Sequence, residues 1–223
     1  MVGFKRISGA LMKTITLAAT KGGVGKSTLA SAFAVAAAAD RGMVGMLDQD
    51  PQGSLTGWWA RRGEVENPRI YSGTSTIAEA AETLNQHGID WLIIDTGPGL
   101  LRAIEPAIAA ADLIVVPVKP SAFDLEAVDP VLEVINDLRK TYLMVLNEID
   151  PRAPKMANSA REYLRDSGHL VAVQAIAQRM PYRAALTLGK SGPEVERDGK
   201  CAEEIRSLWS EVKLLAAKGG RHG

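Results

Sequence analysis

A short glycine-rich stretch is the feature that most constrains how this chain can fold. It reads TKGGVGKST and occupies residues 20–28. The residues just before it, 14–19, are mostly β-branched or apolar and predict a buried strand, while the alanine-rich run 29–39 predicts a helix. A strand, a glycine turn and a helix in this order are the context of a phosphate-binding loop. The alternative is an ordinary strand-to-helix turn whose lysines face solvent.

The residue types in the stretch suit a bound polyphosphate. Three glycines let the backbone curl so that successive N–H groups point into one concavity, and the next helix adds its positive N-terminal end. Lys26 is predicted to reach the β- and γ-phosphates, and the Ser27 hydroxyl is predicted to bind a magnesium ion. The residues predicted here to bind the nucleotide are consecutive: Gly22, Gly23, Val24, Gly25, Lys26, Ser27 and Thr28.

Two departures from the usual phosphate loop point to a particular family. Thr20 stands where the first glycine is expected, and Lys21 adds a second lysine at the loop entrance. The pattern K-G-G-x-G-K-[ST] resembles the deviant Walker A loop of the ParA/MinD family of ATPases. The resemblance implies that Lys21 crosses a nucleotide-sandwiched dimer and contacts the phosphates of the partner subunit. Lys21 and Lys26 are therefore expected to be catalytic as well as nucleotide-binding.

An acidic segment, DQDPQG at residues 48–53, follows the second predicted strand, 44–47. Two carboxylates at the carboxyl end of a strand lie near the ligand crevice of an open α/β sheet. The segment resembles the D-x-D-P-Q-G segment of the same family. That resemblance implies that Asp50 orients or activates the attacking water and that Asp48 supports the magnesium shell. An Asp-Pro turn that caps the next helix is the structural alternative.

A further predicted strand, residues 90–95, ends in an acidic residue. An apolar strand that ends in Asp95 is the Walker B arrangement, in which the carboxylate holds magnesium, often through water. Asp95 thus joins Ser27 and Asp48 as a predicted metal residue. The family usually continues D-T-P-P-G, whereas this chain has Gly97 in place of the first proline, which predicts a less rigid loop.

The resemblance alone supplies the predicted adenine contacts. In relatives an Asn at the end of the next sheet strand helps read the adenine edge, and Asn147 follows the predicted strand 142–146. The segment 178–185 resembles the one that brackets the adenine ring, which implies roles for Met180 and Pro181. Ser121 is predicted to cap a helix that extends to Lys140.

Strand patterns alternate with helical patterns along the whole chain. The remaining predicted strands cover residues 68–71, 112–118 and 170–176. This alternation predicts an α/β fold, a doubly wound and mostly parallel sheet with helices on both faces and the nucleotide at the carboxyl ends of the strands. We expect one domain over residues 1–223, with residues 1–12 as a disordered or extended lead.

Charge is unevenly distributed although the net charge is zero. Residues 1–150 hold 13 basic and 18 acidic residues, a net of −5, and residues 151–223 hold 13 basic and 8 acidic residues, a net of +5. A basic C-terminal third permits a polyanion-binding face, but an accidental excess on a solvated surface explains the count equally well. The candidates for phosphate contacts with DNA are Arg152, Lys155, Arg161, Arg165, Arg183 and Lys190.

Several classes of protein are disfavoured. The single cysteine, Cys201, argues against an internal disulfide and an iron–sulfur cluster, and it suits a reducing cytoplasm. No stretch approaches the ~18 apolar residues of a membrane span. His87, His169 and His222 have no second ligand at metal spacing. We expect a cytoplasmic, nucleoid-associated protein without integral membrane association.

The resemblance implies a partitioning or positioning ATPase that uses ATP and Mg²⁺. On this view the protein forms a homodimer with ATP and binds DNA non-specifically. Weak ATP hydrolysis, stimulated by a ParB-like partner, then releases the DNA. MinD-like binding to a membrane surface is one alternative, although residues 218–221 lack the bulky apolar partners of such tails. A biosynthetic ATPase is another, and a cargo other than a plasmid, such as a microcompartment or transfer complex, stays open.

Overall fold

The computed structural model describes residues 11–63, 65–72, 76–99 and 101–219 of the chain. Its strands are β1 (Lys13–Leu17), β2 (Val44–Gln49), β3 (Arg69–Tyr71), β4 (Trp91–Thr96), β5 (Leu113–Val118) and β6 (Tyr142–Leu146). Its helices are α1 (Lys26–Ala39), α2 (Ser54–Arg62), α3 (Ile77–Gln86), α4 (Leu101–Ala110), α5 (Ala122–Glu126), α6 (Asp129–Asp137), α7 (Pro154–Asp166), α8 (Met180–Thr187), α9 (Gly192–Val195) and α10 (Lys200–Gly219).

The six strands form one parallel sheet in the order β3-β2-β4-β1-β5-β6. The chain moves outward on one side of β1 through β2 and β3, and later moves outward on the other side through β5 and β6. The strand order therefore reverses beside β1, and ligands of open α/β sheets bind at such a reversal, outside the carboxyl ends of the strands. The loops after β1, β2, β4 and β6 all begin at this edge.

Helices cover both faces of the sheet. On one face, α1, α2, α8 and α10 pack a core that includes Phe33, Trp58 and Trp209. On the other face, α4, α6 and α7 pack around Ile108 and Ile135. Strand β5, next to the edge strand β6, is buried along its whole length, as parallel strands covered on both faces must be. The predicted fold class is confirmed.

The predicted last strand, 170–176, is wrong. This segment runs beside β6, but it pairs only through isolated bridges of Val171 with Met144 and of Ala177 with Ile149. Between the bridges, the N–H groups of Val173 and Gln174 donate to the carboxylate of Glu211 at 2.9 and 3.0 Å. A side chain of α10 thus replaces the ladder partner, and regular strand geometry is interrupted.

The single helix predicted from Ser121 to Lys140 is also wrong, because α5 and α6 are separate helices. The break lies at residues 127–128, just before Pro130 in the first turn of α6. Proline has no N–H group, and its ring clashes with the carbonyl four residues earlier, so a continuous helix is disfavoured. The predicted cap is confirmed, since the N–H of Asp124 donates to Ser121 Oγ. Of the predicted lead, residues 1–10 lie outside the described residues.

Candidate functional site

The glycine-rich loop connects β1 to α1, as the sequence predicts. Gly23 and Gly25 adopt left-handed backbone conformations with φ of 69° and 94°. A Cβ atom on Gly25 would lie 2.0 Å from Nδ2 of Asn147, which donates to the carbonyl of Val24 at 2.7 Å. Gly25 is therefore required both by its backbone conformation and by this close contact. Asn147 ties the end of β6 to the phosphate loop.

Lys26 lies inside the loop. Its side chain is buried, and its ammonium group donates to the carbonyls of Lys21 at 3.2 Å and Ala19 at 3.4 Å. Burial lowers the pKa of Lys26, whereas the carboxylates of Asp95 and Asp50 raise it. A cation is thus held at the start of α1, where the helix N-terminus also favours an anion.

Asp95 near the end of β4 is fully buried, and neither carboxylate oxygen has a hydrogen-bond partner among the residues that the structure describes. Burial raises the pKa of Asp95 to about 7. The nearby Ser27 hydroxyl lowers this pKa, and Asp48 raises it. A buried carboxyl group without a partner is costly, and a divalent cation would supply that partner. Asp95 and Ser27 therefore fit a magnesium site.

Asp48 and Asp50 lie on the neighbouring strand end, where Asp48 is in register with Asp95. Asp48 accepts from the N–H of Asp50 at 3.1 Å and from the N–H of Thr56 at 2.8 Å. Asp48 therefore fixes the turn that leads into α2, whereas the N-cap of that helix is Gly53 and has no side-chain cap bond. Among the described residues, the Asp50 carboxylate accepts only from the N–H of Gln52, at 2.9 Å.

The loop after β4 packs on this turn and on the phosphate loop. A Cβ atom on Gly97 would lie 3.1 Å from Cδ of Pro51 and 3.3 Å from Cα of Asp50. The N–H of Gly99 donates to the carbonyl of Thr20 at 3.2 Å. Gly97, which stands where the family usually has proline, thus has a packing role that the sequence did not reveal. It lets the turn after β2 and the loop after β4 approach each other.

Lys21, the residue predicted to cross a dimer, is about half exposed in the single chain, with 47% of its side chain accessible. Its ammonium group is ion-paired with Asp124 of the same chain, and Asp124 also accepts from the Ser121 hydroxyl. Partial burial raises the pKa of Asp124, but Lys21 and Ser121 together hold it below its ordinary value. Sequence reasoning missed Asp124. The signal was the Ser-x-x-Asp spacing in the segment 121–124.

A cavity of about 130 Å³ opens beside the loop. It is lined by Gly25, Thr28, Asn147, Glu148, Ile176, Ala177, Gln178, Arg179, Tyr182, Arg183 and Leu186. Met180 and Pro181 begin α8 but are not among these lining residues, and the Met180 side chain is 71% exposed. The segment 178–185 contributes Gln178, Arg179, Tyr182 and Arg183 to the lining, and the helical spacing of Tyr182 and Leu186 decides which side chains of α8 face the cavity.

The wall of this cavity is fixed by a buried carboxylate on α10. Glu204 accepts from the guanidinium group of Arg179 at 2.7 and 3.0 Å and from the Tyr182 hydroxyl at 3.0 Å. Burial raises the pKa of Tyr182, so its hydroxyl stays protonated and donates. This cavity is thereby joined to α10.

Residues 15–192 match the family described as the CobQ/CobB/MinD/ParA nucleotide binding domain. The chain belongs to this family. The "maintenance of carboxysome distribution protein A" of Halothiobacillus neapolitanus is 32% identical over 209 residues, which cover 89% of this chain and 95% of that protein.

Solved structures show the same fold. The MinD cell division protein of Aquifex aeolicus superposes with a TM-score of 0.75 at 16% identity, covering 90% of this chain and 97% of that one. The septum site-determining protein MinD of Pyrococcus horikoshii, complexed with Mg-ADP, superposes with a TM-score of 0.70 at 16% identity, covering 95% and 100%.

The described residues contain no cluster of three or more His, Cys, Asp or Glu side chains able to hold a metal ion. Mg²⁺ commonly binds through one or two carboxylates together with substrate phosphates, so a site at Asp95 does not need such a cluster. Within the same part of the chain, no helix is long and apolar enough to cross a membrane.

Proposed function

We propose that this protein is a positioning ATPase that binds ATP with Mg²⁺, dimerises around the nucleotide and separates after hydrolysis. The observation that carries the proposal is a buried Lys26 in the phosphate loop near a buried Asp95 whose carboxylate has no hydrogen-bond partner among the described residues. Ser27 and Asp95 would hold the cation, with support from Asp48. When bound, the cation would neutralise charge on the phosphate oxygens.

The residues of the chain have distinct roles in the proposed reaction. Lys26 and the loop amides bind the triphosphate, and Asn147 and the cavity beside α8 take the base. Asp50 orients the attacking water, and its carboxylate lies beside the loop that follows β4. Lys21 exchanges Asp124 of its own chain for the phosphates of a second subunit.

A steady-state ATPase assay tests the catalytic part of the proposal. Wild-type protein should release phosphate slowly and only with Mg²⁺ present. Lys26→Ala should abolish nucleotide binding, and Asp50→Ala should retain ATP in a dimer while hydrolysis falls, because orienting the water affects chemistry more than binding. An Asp50→Ala protein that hydrolyses ATP at the wild-type rate would remove Asp50 from the mechanism.

Non-specific DNA is the proposed surface on which the dimer is held. Among the predicted basic contacts, Arg152 is paired with Asp150, and Arg161 donates to the carbonyl of Val173. Arg183 and Lys190 are exposed. They flank the place where Arg61 contacts the carbonyl of Leu186, so Arg61 adds a third cation to this surface.

A gel-shift titration with plain duplex DNA tests this surface. Binding should require ATP, ignore sequence and weaken steeply between about 50 and 200 mM salt, because phosphate contacts release counterions. Lys190→Ala should bind more weakly at every salt concentration; Arg183 is kept, because it also lines the cavity proposed to take the base. Arg102→Ala, an exposed arginine on α4, is the matched control. No retardation of DNA by the wild-type protein with ATP at low salt would refute DNA binding.

The cargo has two candidates with the same ATPase chemistry. The relative from Halothiobacillus is named for carboxysome distribution and matches along nearly its whole length, which favours a protein-bounded particle. The ParA name within the family favours a plasmid and a ParB-like partner. Isolation of the protein in the ATP-bound Asp50→Ala form, followed by identification of the co-purified partner, discriminates between a shell adaptor and a centromere-binding protein. Retention on anionic vesicles instead would favour the MinD-like alternative.

A further inference from the structure

Helix α2 starts at the proposed catalytic turn. Its first turn is held by Asp48, which accepts from the N–H of Thr56 at 2.8 Å. The N–H of Gly53 donates to the carbonyl of Asp50, also at 2.8 Å. These bonds join the helix to the residues that would place the water. A displacement of α2 therefore moves the Asp50 turn.

The other end of α2 is held by the connection between α8 and α9, residues 188–191, and by the end of α8. Trp58 Nε1 donates to the carbonyl of Lys190 at 2.8 Å, and Arg61 Nε donates to the carbonyl of Leu186 at 3.0 Å. Gly189 has a φ of 64°, and a Cβ atom there would lie 2.3 Å from the backbone nitrogen of Arg62. The two backbones are thus in direct contact.

Arg62 makes the most extensive of these contacts. Its guanidinium group donates to both carboxylate oxygens of Glu194, at 2.8 and 2.6 Å, and to the carbonyl of Gly189 at 3.1 Å. Only 14% of the Arg62 side chain is accessible. Glu194 in turn accepts from the N–H and hydroxyl of Ser191. A bidentate ion pair of this kind fixes the relative orientation of the two side chains as well as their distance.

Arg62 contacts Gly189 and Glu194, which follow α8 in the chain. Helix α8 also lines the cavity proposed to take the nucleotide base, called here the base cavity. Leu186 and Tyr182 of α8 line that cavity, and Leu186 also accepts from α2. We infer that Arg62, through Glu194, is a positioning residue that transmits occupancy of the base cavity to Asp50. The inference rests on the proposed ATPase function. On this inference, the identity of the nucleotide base affects the rate of hydrolysis as well as the affinity for the nucleotide.

Steady-state kinetics with ATP and GTP test the inference. In the wild type, ATP should exceed GTP in kcat as well as in affinity. Arg62→Met should lower kcat for ATP by about ten- to a hundredfold, since small misplacements of catalytic groups have effects of that size. It should also bring the kcat ratio of ATP to GTP close to one and change the Kd for ATP much less. Arg62→Lys, which keeps the charge but loses the fork, should resemble Arg62→Met.

Controls separate positioning from simple stabilisation. Arg197→Met changes an exposed arginine near the same helices and should leave both kcat values unchanged. Glu194→Gln keeps the shape of the pair, so it tests the same contact if Arg62→Met does not fold. The double variant Arg62→Met/Glu194→Gln should be no slower than the slower of its two single variants, because Arg62 and Glu194 act through one contact.

The outcomes are distinguishable. If the Arg62 and Glu194 variants melt at lower temperature but keep the wild-type kcat and the wild-type ratio of ATP to GTP, Arg62 is only a packing residue and the inference is overturned. If the wild-type protein binds ATP but does not hydrolyse it, the proposed function itself fails, whatever the variants do.

Discussion

At the scale of single residues, Gly25 is held by two separate constraints. Its φ of 94° is unfavourable for any residue with a side chain, and the amide of Asn147 occupies the space that a Cβ atom would need. Asn147 also donates to the carbonyl of Val24, so it cannot move away without losing that hydrogen bond. The loop shape and the end of β6 therefore depend on each other.

Gly25→Ala is expected to abolish nucleotide binding and to destabilise the protein by about 2 kcal/mol or more, since left-handed strain alone costs about 1–3 kcal/mol. Urea unfolding and binding of a fluorescent ATP analogue measure the two effects. Gly88→Ala is the matched control, because Gly88 has a φ of 78° but nothing lies within 4 Å of its added Cβ atom. Equal losses of stability in both variants would show that the contact with Asn147 is unimportant.

The ion pair of Lys21 with Asp124 competes with the proposed role of Lys21 in a dimer. We expect Asp124→Asn to raise the fraction of dimer at a given ATP concentration, by about fivefold or less, because a partly exposed ion pair contributes roughly 1 kcal/mol or less. Sedimentation in the Asp50→Ala background, which slows hydrolysis, measures this fraction. Lys21→Ala should stay monomeric with ATP. A lower dimer fraction in Asp124→Asn would mean that Asp124 assists dimerisation instead.

At the scale of elements, the segment beyond β6 shows how one helix protects a sheet edge. Glu204 and Glu211 are seven residues apart on α10, and therefore on one face of that helix. Glu211 accepts from the N–H groups of Val173 and Gln174, and Glu204 lies 3.4 Å from the N–H of Ala177. Both carboxylates bind N–H groups of the edge segment, groups that an unprotected edge strand would offer to another chain.

Glu211→Ala is expected to lower the free energy of unfolding by about 1–3 kcal/mol, because two backbone N–H groups lose a charged acceptor. It should also increase aggregation during thermal unfolding, since the edge becomes available for pairing. Light scattering and urea titration measure these two quantities. Glu203→Ala, an exposed residue of the same helix, is the control. If both variants behave alike, Glu211 does not protect the edge.

At the scale of the whole molecule, the sequence predicts the sheet and the phosphate-facing side of the site because each depends on local pattern. Apolar runs place all six strands within one or two residues, and the glycine spacing places the loop. The errors come from long-range contacts. Nothing near residues 170–176 indicates that Glu211, some 37 residues later, takes the N–H groups of Val173 and Gln174.

The same reason explains what the sequence did not reveal in the candidate site. Asp124 and Lys21 are 103 residues apart, and Arg62 and Glu194 are 132 residues apart. In the sequence alone, Asp124, Arg62 and Glu194 each resemble an ordinary charged residue on a helix or turn. The base cavity depends on the direction in which α8 presents its side chains, which requires the position of that helix relative to α10. Motif recognition identifies the chemistry, and the packing decides which side chains take part.

The ion pair of Arg62 and Glu194 also makes the free energy of unfolding depend on pH. Burial raises the pKa of Glu194, but Arg62 and the Ser191 N–H outweigh it and hold that pKa below its ordinary value. A carboxyl group whose pKa is lower in the folded state stabilises the fold above its unfolded pKa of about 4.3 and loses that contribution as pH falls through the folded pKa. The free energy of unfolding should therefore fall on acidification below about pH 4.5.

Glu194→Gln should reduce the steepness of that fall by a fraction of the about 1.4 kcal/mol per pH unit that one full proton contributes. Some dependence should persist, because the pKa of Asp124 and that of Asp40, which is bound by Lys213, are also held low. Urea unfolding at a series of pH values from about 6 to 3 measures the slope, with Glu203→Gln as the control. If the slope for Glu194→Gln equals that of the wild type, the pair with Arg62 remains intact when Glu194 is protonated. The charge of Glu194 then contributes nothing to holding α2 against α9.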